Sequence, residues 1–490
     1  MLHFSRTITR AVNSKGLFLT TALVSGLIAL PGHAQDAVWV EPGPGTYADG
    51  VNWDILSPPG ATDTAIFLAA PFSTVTIGIT PVAVGNLDII SIGSIENGTF
   101  EFNNGSASTL TYSDLQPGAL ASSVTLDLNG ADLSISSITD MDFGGAIENG
   151  GAAATLALNT TAEMTLSGVI SGATAVTLGS GTATLSGDNT YTGGTLVSGG
   201  TLGVTGQVLG TTTIAGGAVV VNETTVDAAL ELAGATTVSA GSLTLTAGDV
   251  AAVTTSGTGT FTQSAGVSGA VENTGGTVNL NGGTAATLAH TGTAGTSTVT
   301  DGQVLGTTTI AGGAVVVNET TVDAALELAG ATTVSAGSLT LTAGDVAAVT
   351  TSGTGVFTQS AGISGAVENT GGTVNLNGGT AATLAHTGTA GTSTVTDGQV
   401  LGTTTIAGGA VVVNETTVDA ALELAGATTV SAGSLTLTAG DVAAVTTSGT
   451  GTFTQSAGVS GAVENTGGTV NLNGGTAATS HIVAPLAPAR

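Results

Sequence analysis

The chain has 490 residues, of which 77 are glycine, 3% are aromatic, 8% are charged and none is cysteine. Its net charge is −29, and no lysine or arginine occurs between Lys15 and Arg490. This composition excludes a disulfide framework and cysteine chemistry, and it argues against binding to nucleic acids or anionic lipids, which requires cations. Val, Ile and Leu recur along the whole chain, which argues against intrinsic disorder and, with abundant Thr, favours regular β-structure.

Residues 1–34 have the layout of a secretory signal peptide. Three basic residues precede an apolar run at residues 16–30, and small residues follow, ending at Ala34. The apolar run has 15 residues, whereas a membrane span needs about 20. We expect export with cleavage after Ala34, and the alternative is an uncleaved anchor.

The remaining chain divides into two regions. Residues 35–178 carry no obvious repeat, whereas the second region is a tandem array with a period of 96 residues. The copies are residues 206–301, 302–397 and 398–479, and residues 480–490 form an unrelated tail that is typical of a truncation or a frameshift. The first two copies differ at two positions only, Thr260 against Val356 and Val267 against Ile363. Repeats of this kind predict a stacked, quasi-one-dimensional architecture.

The local pattern inside each copy is that of short β-strands. Runs of alternating apolar and polar residues are bounded by Gly, Asn or Asp, as in SLTLT, where Leu243 and Leu245 would face one side and Thr244 and Thr246 the other. Gly-containing breaks recur roughly every 18 to 25 residues, which is close to one turn of a parallel β-solenoid, so each copy would contain four or five turns. We expect Val, Ile and Leu inside the coil and Thr, Ser and Asn outside.

Separate β-sandwich domains are the alternative fold, because 96 residues is also a typical sandwich length. Sandwich domains usually bury a large aromatic side chain, but each full copy has one Phe and neither Trp nor Tyr. The pattern therefore favours the solenoid.

Residues 222–234 are ambiguous between helix and strand. Three acids stand four residues apart, as on one helix face, but like charges at this spacing are unfavourable. These acids are Glu223, Asp227 and Glu231. Leu230 and Leu232 alternate as in a strand, and we predict a strand here.

Residues 179–206 read GSGTATLSGDNTYTGGTLVSGGTLGVTG. This stretch closely resembles the passenger-associated (autotransporter-associated) β-strand repeat of bacterial autotransporters, through its TLSG, YTGGT and GTL elements. A Lys that the family often carries a few residues upstream is missing. The preceding segment resembles the opening of such passengers, through Trp39 and the strings GVNWD, PPGATDTAIF and VGNLDI. The resemblance implies a right-handed parallel β-helix displayed outside an outer membrane.

The residue types in this motif indicate a structural role. The glycines at positions 193, 194, 199 and 200 permit turns with positive φ. Tyr191 can cap a corner of a narrow coil. An autotransporter is also expected to end in a translocating barrel of roughly 250 residues, and nothing after residue 206 has that character.

Candidate catalytic residues are few. No G-x-S-x-G nucleophile motif occurs, and the histidines outside the signal peptide, His290, His386 and His481, form no cluster and are expected at the surface or in turns. Asp140 and Asp142 would share one strand face, and paired carboxylates can hydrolyse glycosides. Enzymes that cleave acidic polysaccharides generally also need Lys or Arg to hold the substrate. We therefore predict no catalytic residues, no cofactor and no enzymatic activity.

The sequence contains weak signals for two kinds of binding site, a metal site and an ice-binding array. The six acids of copy one lack the spacing of a calcium motif, and we expect a solvated acidic face and no metal site. These acids are Glu223, Asp227, Glu231, Asp249, Glu272 and Asp301. Thr-x-Thr pairs such as Thr244/Thr246 and Thr298/Thr300 suggest an ice-binding array, but their irregular intervals argue against the required register at every turn.

The sequence thus predicts an exported, all-β, non-enzymatic surface protein, an autotransporter passenger or an adhesin-like β-helical stalk. Its expected partners are surface molecules of a host or of neighbouring cells, without nucleic acid binding and without membrane insertion of the mature passenger. The expected location is the cell surface or medium, or the periplasm if no barrel is supplied. A carbohydrate-active β-helix enzyme and a truncated fragment without independent function are the alternatives.

Overall fold

The computed structural model describes residues 36–40, 45–58, 124–130, 132–137, 140–222, 230–320, 326–416 and 421–482, together with short strands between residues 64 and 117. These residues form an all-β parallel solenoid of about 19 turns. One short 3-10 helix, Gly50–Asn52, is present among them. The predicted fold class is confirmed, and the handedness of the coil stays a prediction.

Each turn passes through three parallel sheets, which we call sheets 1, 2 and 3 in the order that the chain visits them. Sheet 1 contains the strands Ala83–Val84, Thr109–Tyr112, Asp132–Ser137, Thr195–Val197, Thr212–Ile214, Thr236–Val238, Val253–Thr255, Thr308–Ile310, Thr332–Val334, Val349–Thr351 and Val445–Thr447. Sheet 2 contains Met141–Phe143, Thr201–Val204, Ala218–Asn222, Ser242–Ala247, Thr260–Gln263, Thr277–Leu280, Thr296–Val299, Ala314–Val317, Ser338–Leu341, Val356–Gln359, Thr373–Leu376, Thr392–Val395, Thr452–Gln455 and Thr469–Leu472. Sheet 3 contains Asp249–Val250, Gln303–Val304, Asp345–Val346, Gln399–Val400 and Asp441–Val442.

Ten longer strands bend from one sheet into the next. Ala154–Leu166, Thr174–Leu185, Thr404–Val413 and Thr428–Leu437 run from sheet 1 into sheet 2. Val267–Asn273, Thr284–His290, Ile363–Asn369, Thr380–His386, Val459–Asn465 and Thr476–Ile482 run from sheet 3 into sheet 1.

The N-terminal strands are also parallel. One four-stranded sheet contains Asp36–Val38, Thr64–Leu68, Asn86–Ile90 and Leu115–Pro117. One five-stranded sheet contains Gly45–Thr46, Thr74–Ile77, Gly98–Phe102, Val124–Asp127 and Ala146–Glu148. The opening segment is anchored by a buried aromatic pair, because the rings of Trp39 and Trp53 meet edge to face with centroids 5.1 Å apart.

The turns differ in length, but their strands stay in register. In copy one, sheet 1 pairs residues 212, 236, 253, 271, 288 and 308 on successive turns, so the turns have 24, 17, 18, 17 and 20 residues. Five turns therefore span 96 residues, and Thr308 takes the place of Thr212. The different turn lengths do not shift the ladder of sheet 1.

The core is a stack of inward apolar side chains. Leu243 pairs with Phe261 and Phe261 with Val278 on successive turns, and all three side chains are fully buried. Burial of each such side chain contributes about 1.5–3 kcal/mol, so the stack is a main source of stability. Val, Ile and Leu fill most inward positions as predicted, although Leu305 and Ile363 are more than half exposed. The expectation that Thr, Ser and Asn lie outside is wrong at inward positions such as Ser268 and Asn273, which are fully buried.

The prediction of a strand at residues 222–234 is only partly testable, because residues 223–229 lie outside the described residues. Leu232 forms an isolated parallel bridge with Val208 and Val250, and Leu230 is 37% exposed while Leu232 is buried. In the described part, Asn222 ends the strand Ala218–Asn222, and Leu232 forms a single bridge position in line with sheet 3. The expectation that Leu230 and Leu232 face the same side is wrong.

Residues 480–482 of the predicted tail continue the last strand, because they pair in register with residues 463–465. Residues 483–490 lie outside the described residues, as does the predicted signal peptide.

Removal of one copy should shorten the coil without unfolding it. Deletion of residues 302–397 joins Asp301 to Gly398, which repeats the natural junction between Asp301 and Gly302. Five turns should disappear, about 24 Å at about 4.8 Å per turn, while thermal unfolding stays cooperative. The measurements are particle length by electron microscopy and calorimetry of the full chain with and without this copy. An unchanged length, or loss of the cooperative transition, would show that the copies are not serial turns.

Candidate functional site

Asp140 and Asp142 each form a hydrogen bond with a group of the next turn. Asp140 lies just before the strand Met141–Phe143 and Asp142 within it, and both are exposed. Each carboxylate bonds a different group of the next turn: Asp140 Oδ1 accepts from the Glu163 amide at 3.2 Å, and Asp142 Oδ1 accepts from Ser167 Oγ at 3.2 Å. Through these hydrogen bonds, both carboxylates link neighbouring turns of the solenoid.

Two of the three candidate histidines are inside the solenoid, so the expectation of surface positions is wrong for them. His290 and His386 are fully buried, whereas His481 is exposed. His290 is the last residue of the strand Thr284–His290, which bends from sheet 3 into sheet 1. There it pairs with Asn273 on the turn below and with Ile310 on the turn above. The alternation of the strand gives it an inward position.

His290 belongs to a buried polar cluster, which we call the inner polar corner. Its Nδ1 lies 3.0 Å from Ser297 Oγ, and Asn273 Nδ2 donates to the same oxygen at 3.1 Å. Its Nε2 has no hydrogen-bond partner among the described residues. Gly313 packs against this atom, because a Cβ at that glycine would lie 2.2 Å from Nε2. The corner recurs in copy two with His386, Ser393 and Asn369.

Burial lowers the pKa of both histidines. A charged imidazole would lose its hydration in this corner, where its Nε2 would stay unpaired. The neutral form is therefore favoured, and these residues serve the interior and are not available to an external substrate.

One acid of each copy is also buried, so the expected solvated acidic face is wrong at this position. Glu231, Glu327 and Glu423 are 3–4% exposed. Glu327 Oε2 accepts from the Asp345 amide at 2.5 Å. Burial raises the pKa of Glu327 and Glu423. Where the chain is described, no group of three His, Asp or Glu side chains is placed to hold a metal ion.

The irregular intervals do not break the register, because Thr244 and Thr298 occupy one rank of sheet 2. A Thr-x-Thr pair does not recur at every turn, however, since Ala314 and Val316 take these positions after Thr298. On sheet 2 the outward residues form two ranks that run along the solenoid axis. In copy one the first rank is Ser242, Thr260, Thr277 and Thr296, and the second is Thr244, Thr262, Asn279 and Thr298. We call this surface and its equivalents in the other copies the hydroxyl face. Thr246 and Thr300 follow the second rank at the strand ends.

The motif around Tyr191 builds a tight corner. Tyr191 is fully buried, and its hydroxyl lies 2.5 Å from Thr195 Oγ1. Burial raises the pKa of the phenol, which stays protonated. Asn189 is buried next to it, where its Oδ1 accepts from the Ile170 amide at 2.9 Å and its Nδ2 donates to the Gly187 carbonyl at 2.7 Å. Asn189 Oδ1 thus links this corner to the turn below, and the other two side-chain hydrogen bonds fix the corner itself.

The two Gly-Gly pairs of the motif combine two different requirements. Gly194 and Gly200 have φ of +84° and +73°, as predicted. Gly193 and Gly199 do not have positive φ; a Cβ there would lie 2.5 Å and 2.4 Å from a carbonyl oxygen of the preceding turn. One glycine of each pair therefore makes the turn, and the other permits close stacking.

Residues 176–204 match the family model of the passenger-associated transport repeat. This match overlaps the stretch 179–206 that the sequence identified, and together with the parallel β-solenoid it fits an autotransporter passenger. The family implies an exported protein. Searches of curated proteins and of solved structures returned no match. None of the helices in the described ranges is long and apolar enough to cross a membrane.

The Tyr191–Thr195 contact should stabilise the passenger repeat. Tyr191→Phe and Thr195→Val should each lower the free energy of unfolding by about 1–2 kcal/mol, because each variant leaves the remaining buried hydroxyl without its hydrogen-bond partner. The double variant should lower the free energy of unfolding by less than the sum of the two single losses, since neither buried hydroxyl then remains unpaired. The measurement is a double-mutant cycle in denaturant, and additive losses would contradict a direct interaction.

The buried histidines should make stability depend on pH. Their pKa is lowered in the folded chain and ordinary, about 6.5, in the unfolded chain, so the unfolded state binds more protons as pH falls below that value. The free energy of unfolding should therefore fall between about pH 7 and about pH 5, and the double variant His290→Gln, His386→Gln should flatten this loss.

The control is His481→Gln, which changes an exposed histidine. The pKa of Glu327 and of Glu423 is raised, so their contribution to the free energy of unfolding is lost as pH rises, opposite to that of the histidines. This contribution is the same in the wild type and in the variant, so it cancels when the two are compared. The measurement is thermal unfolding across this range. An equal flattening by His481→Gln, or none by the double variant, would contradict the assignment.

Proposed function

We propose that this chain is a non-enzymatic passenger stalk, exported to the cell surface, that adheres to neighbouring surfaces through its lateral sheets. The match to the passenger-associated transport repeat is the observation that carries the proposal. The parallel solenoid supports it, because each turn contacts only its neighbours and added copies lengthen the stalk. The acidic chain, which has no Lys or Arg between Lys15 and Arg490, also supports an exterior, solvated role.

The absence of an enzymatic role is part of the proposal. The best carboxylates, Asp140 and Asp142, already bond groups of the next turn. The buried histidines face Ser297 and Ser393 inside the coil. These side chains serve the fold, and adhesive contacts would instead be distributed along the outer faces of the sheets.

Surface display can be tested with single cysteines, because the chain has none of its own. In intact producing cells, a membrane-impermeant maleimide should label Thr244→Cys, whose side chain points outward on sheet 2. The matched control is Leu245→Cys, the next residue, which is fully buried and should react only after denaturation. Labelling of Thr244→Cys only after the cell envelope is opened would contradict a surface stalk.

Adhesion should not depend on the candidate carboxylates. The double variant Asp140→Asn, Asp142→Asn should retain the adhesion of producing cells to a layer of neighbouring cells, since neither carboxylate has a catalytic role in the proposal. Adhesion is counted after washing, with cells that lack the chain as the reference. A polysaccharide cleavage that this variant abolishes would contradict the non-enzymatic assignment.

A further inference from the structure

We propose that the hydroxyl face of sheet 2 binds ice, that is, a periodic lattice of water molecules. The two ranks are built by strands that pair residue for residue on successive turns, as with Ser242, Thr260 and Thr277. This activity would belong to the purified chain in solution, so it does not depend on display at a cell surface.

The face has two regular spacings. Successive turns of a parallel sheet lie about 4.8 Å apart, and residues two apart on a strand lie about 6.6 Å apart. From Thr201–Val204 to Thr469–Leu472 the strands of sheet 2 pair without interruption over 14 steps. The strand ladder that carries the ranks therefore extends over about 67 Å. The oxygen lattice of ice repeats at spacings close to both of these values.

The side chains on the face are suited to hold water in a lattice. A threonine hydroxyl both donates and accepts hydrogen bonds, and its methyl group restricts the neighbouring water. Threonine is β-branched, so few χ1 rotamers are available and the ranks are ordered before binding. Thr244 and Thr298 are half-buried by their neighbours in the rank, with side chains that point away from the core.

The charge and shape of the face select a neutral, repetitive ligand. The net charge is −29, yet the two ranks carry no charged residue in any copy. Aromatic side chains and Arg, which dominate protein interfaces, are also absent from it, because Phe261 and its equivalents point into the core. A sugar chain would lack aromatic platforms for its rings, whereas an ice surface is neutral and periodic.

The face is interrupted at one turn in each copy, where Ala314 and Val316 replace the hydroxyl pair in copy two. Copy one keeps four turns in series, copy two keeps four with Val356 in one of them, and copy three keeps three. Many weak contacts in series add through multivalency. One of the two differences between the first copies, Thr260 against Val356, also lies on this face. Valine keeps the methyl groups and the width of threonine but loses the hydroxyl.

The test uses the full chain and two matched triple variants. One places Lys on the hydroxyl face, through Thr262→Lys, Thr358→Lys and Thr454→Lys. The other places Lys at outward positions of sheet 1, through Thr254→Lys, Thr350→Lys and Thr446→Lys. Circular dichroism and thermal unfolding establish that both variants stay folded. The measurements are adsorption of the fluorescently labelled chain to a growing ice crystal and inhibition of ice recrystallisation.

The wild-type chain should adsorb to ice and inhibit recrystallisation, the variant on the hydroxyl face should lose both activities, and the variant on sheet 1 should retain them. Absence of both activities in the folded wild-type chain would overturn the proposal, as would equal activity or equal loss in the two variants. Binding to crystalline cellulose or chitin that only the variant on the hydroxyl face loses, without adsorption to ice, would also overturn it and assign the face to a neutral polysaccharide.

Discussion

The rest of the structure depends on one constraint, the parallel register between successive turns. Thr236 pairs with Val253, Val253 with Val271 and Val271 with Leu288, although the intervening chain lengths differ. Register fixes which side chains face inward, because a slip of one residue would move every apolar side chain to the outer surface. The core, the inner polar corner and the hydroxyl face all follow from the same pairing.

The sequence was sufficient to predict the fold because its alternation and its glycine spacing agree. Leu243 and Leu245 face inward as the run SLTLT predicts, and the turns have the length that the glycine breaks indicate. The motif around Tyr191 was recognisable because the close approach between turns requires particular residue types. Gly193 and Gly199 each stand where a Cβ would touch the backbone below.

Other features could not be predicted because polar residues also occupy inward positions. His290 and Glu327 are isolated in the sequence and look like surface residues, and only the three-dimensional pairing places Ser297 and the Asp345 amide beside them. A signal was available for His290, which ends the run TAATLAH with Leu288 two residues earlier on the same side. The register of the hydroxyl face was hidden for a different reason, since the number of residues between paired strands differs from turn to turn while the pairing is kept. Inward threonines such as Thr212, whose hydroxyl has no partner among the described residues, have no explanation in the structure.

The stacking of the copies as serial turns of one coil can be measured directly by distances between spin labels. The chain has no cysteine, so pairs can be introduced at Thr244, Thr340 and Thr436, which occupy the same outward position of sheet 2 in the three copies. Pulsed electron resonance should give equal distances of about 24 Å from Thr244 to Thr340 and from Thr340 to Thr436, and about 48 Å from Thr244 to Thr436. Unequal distances, or a first distance clearly longer than 24 Å, would show that the copies are separate domains and contradict the continuous parallel coil.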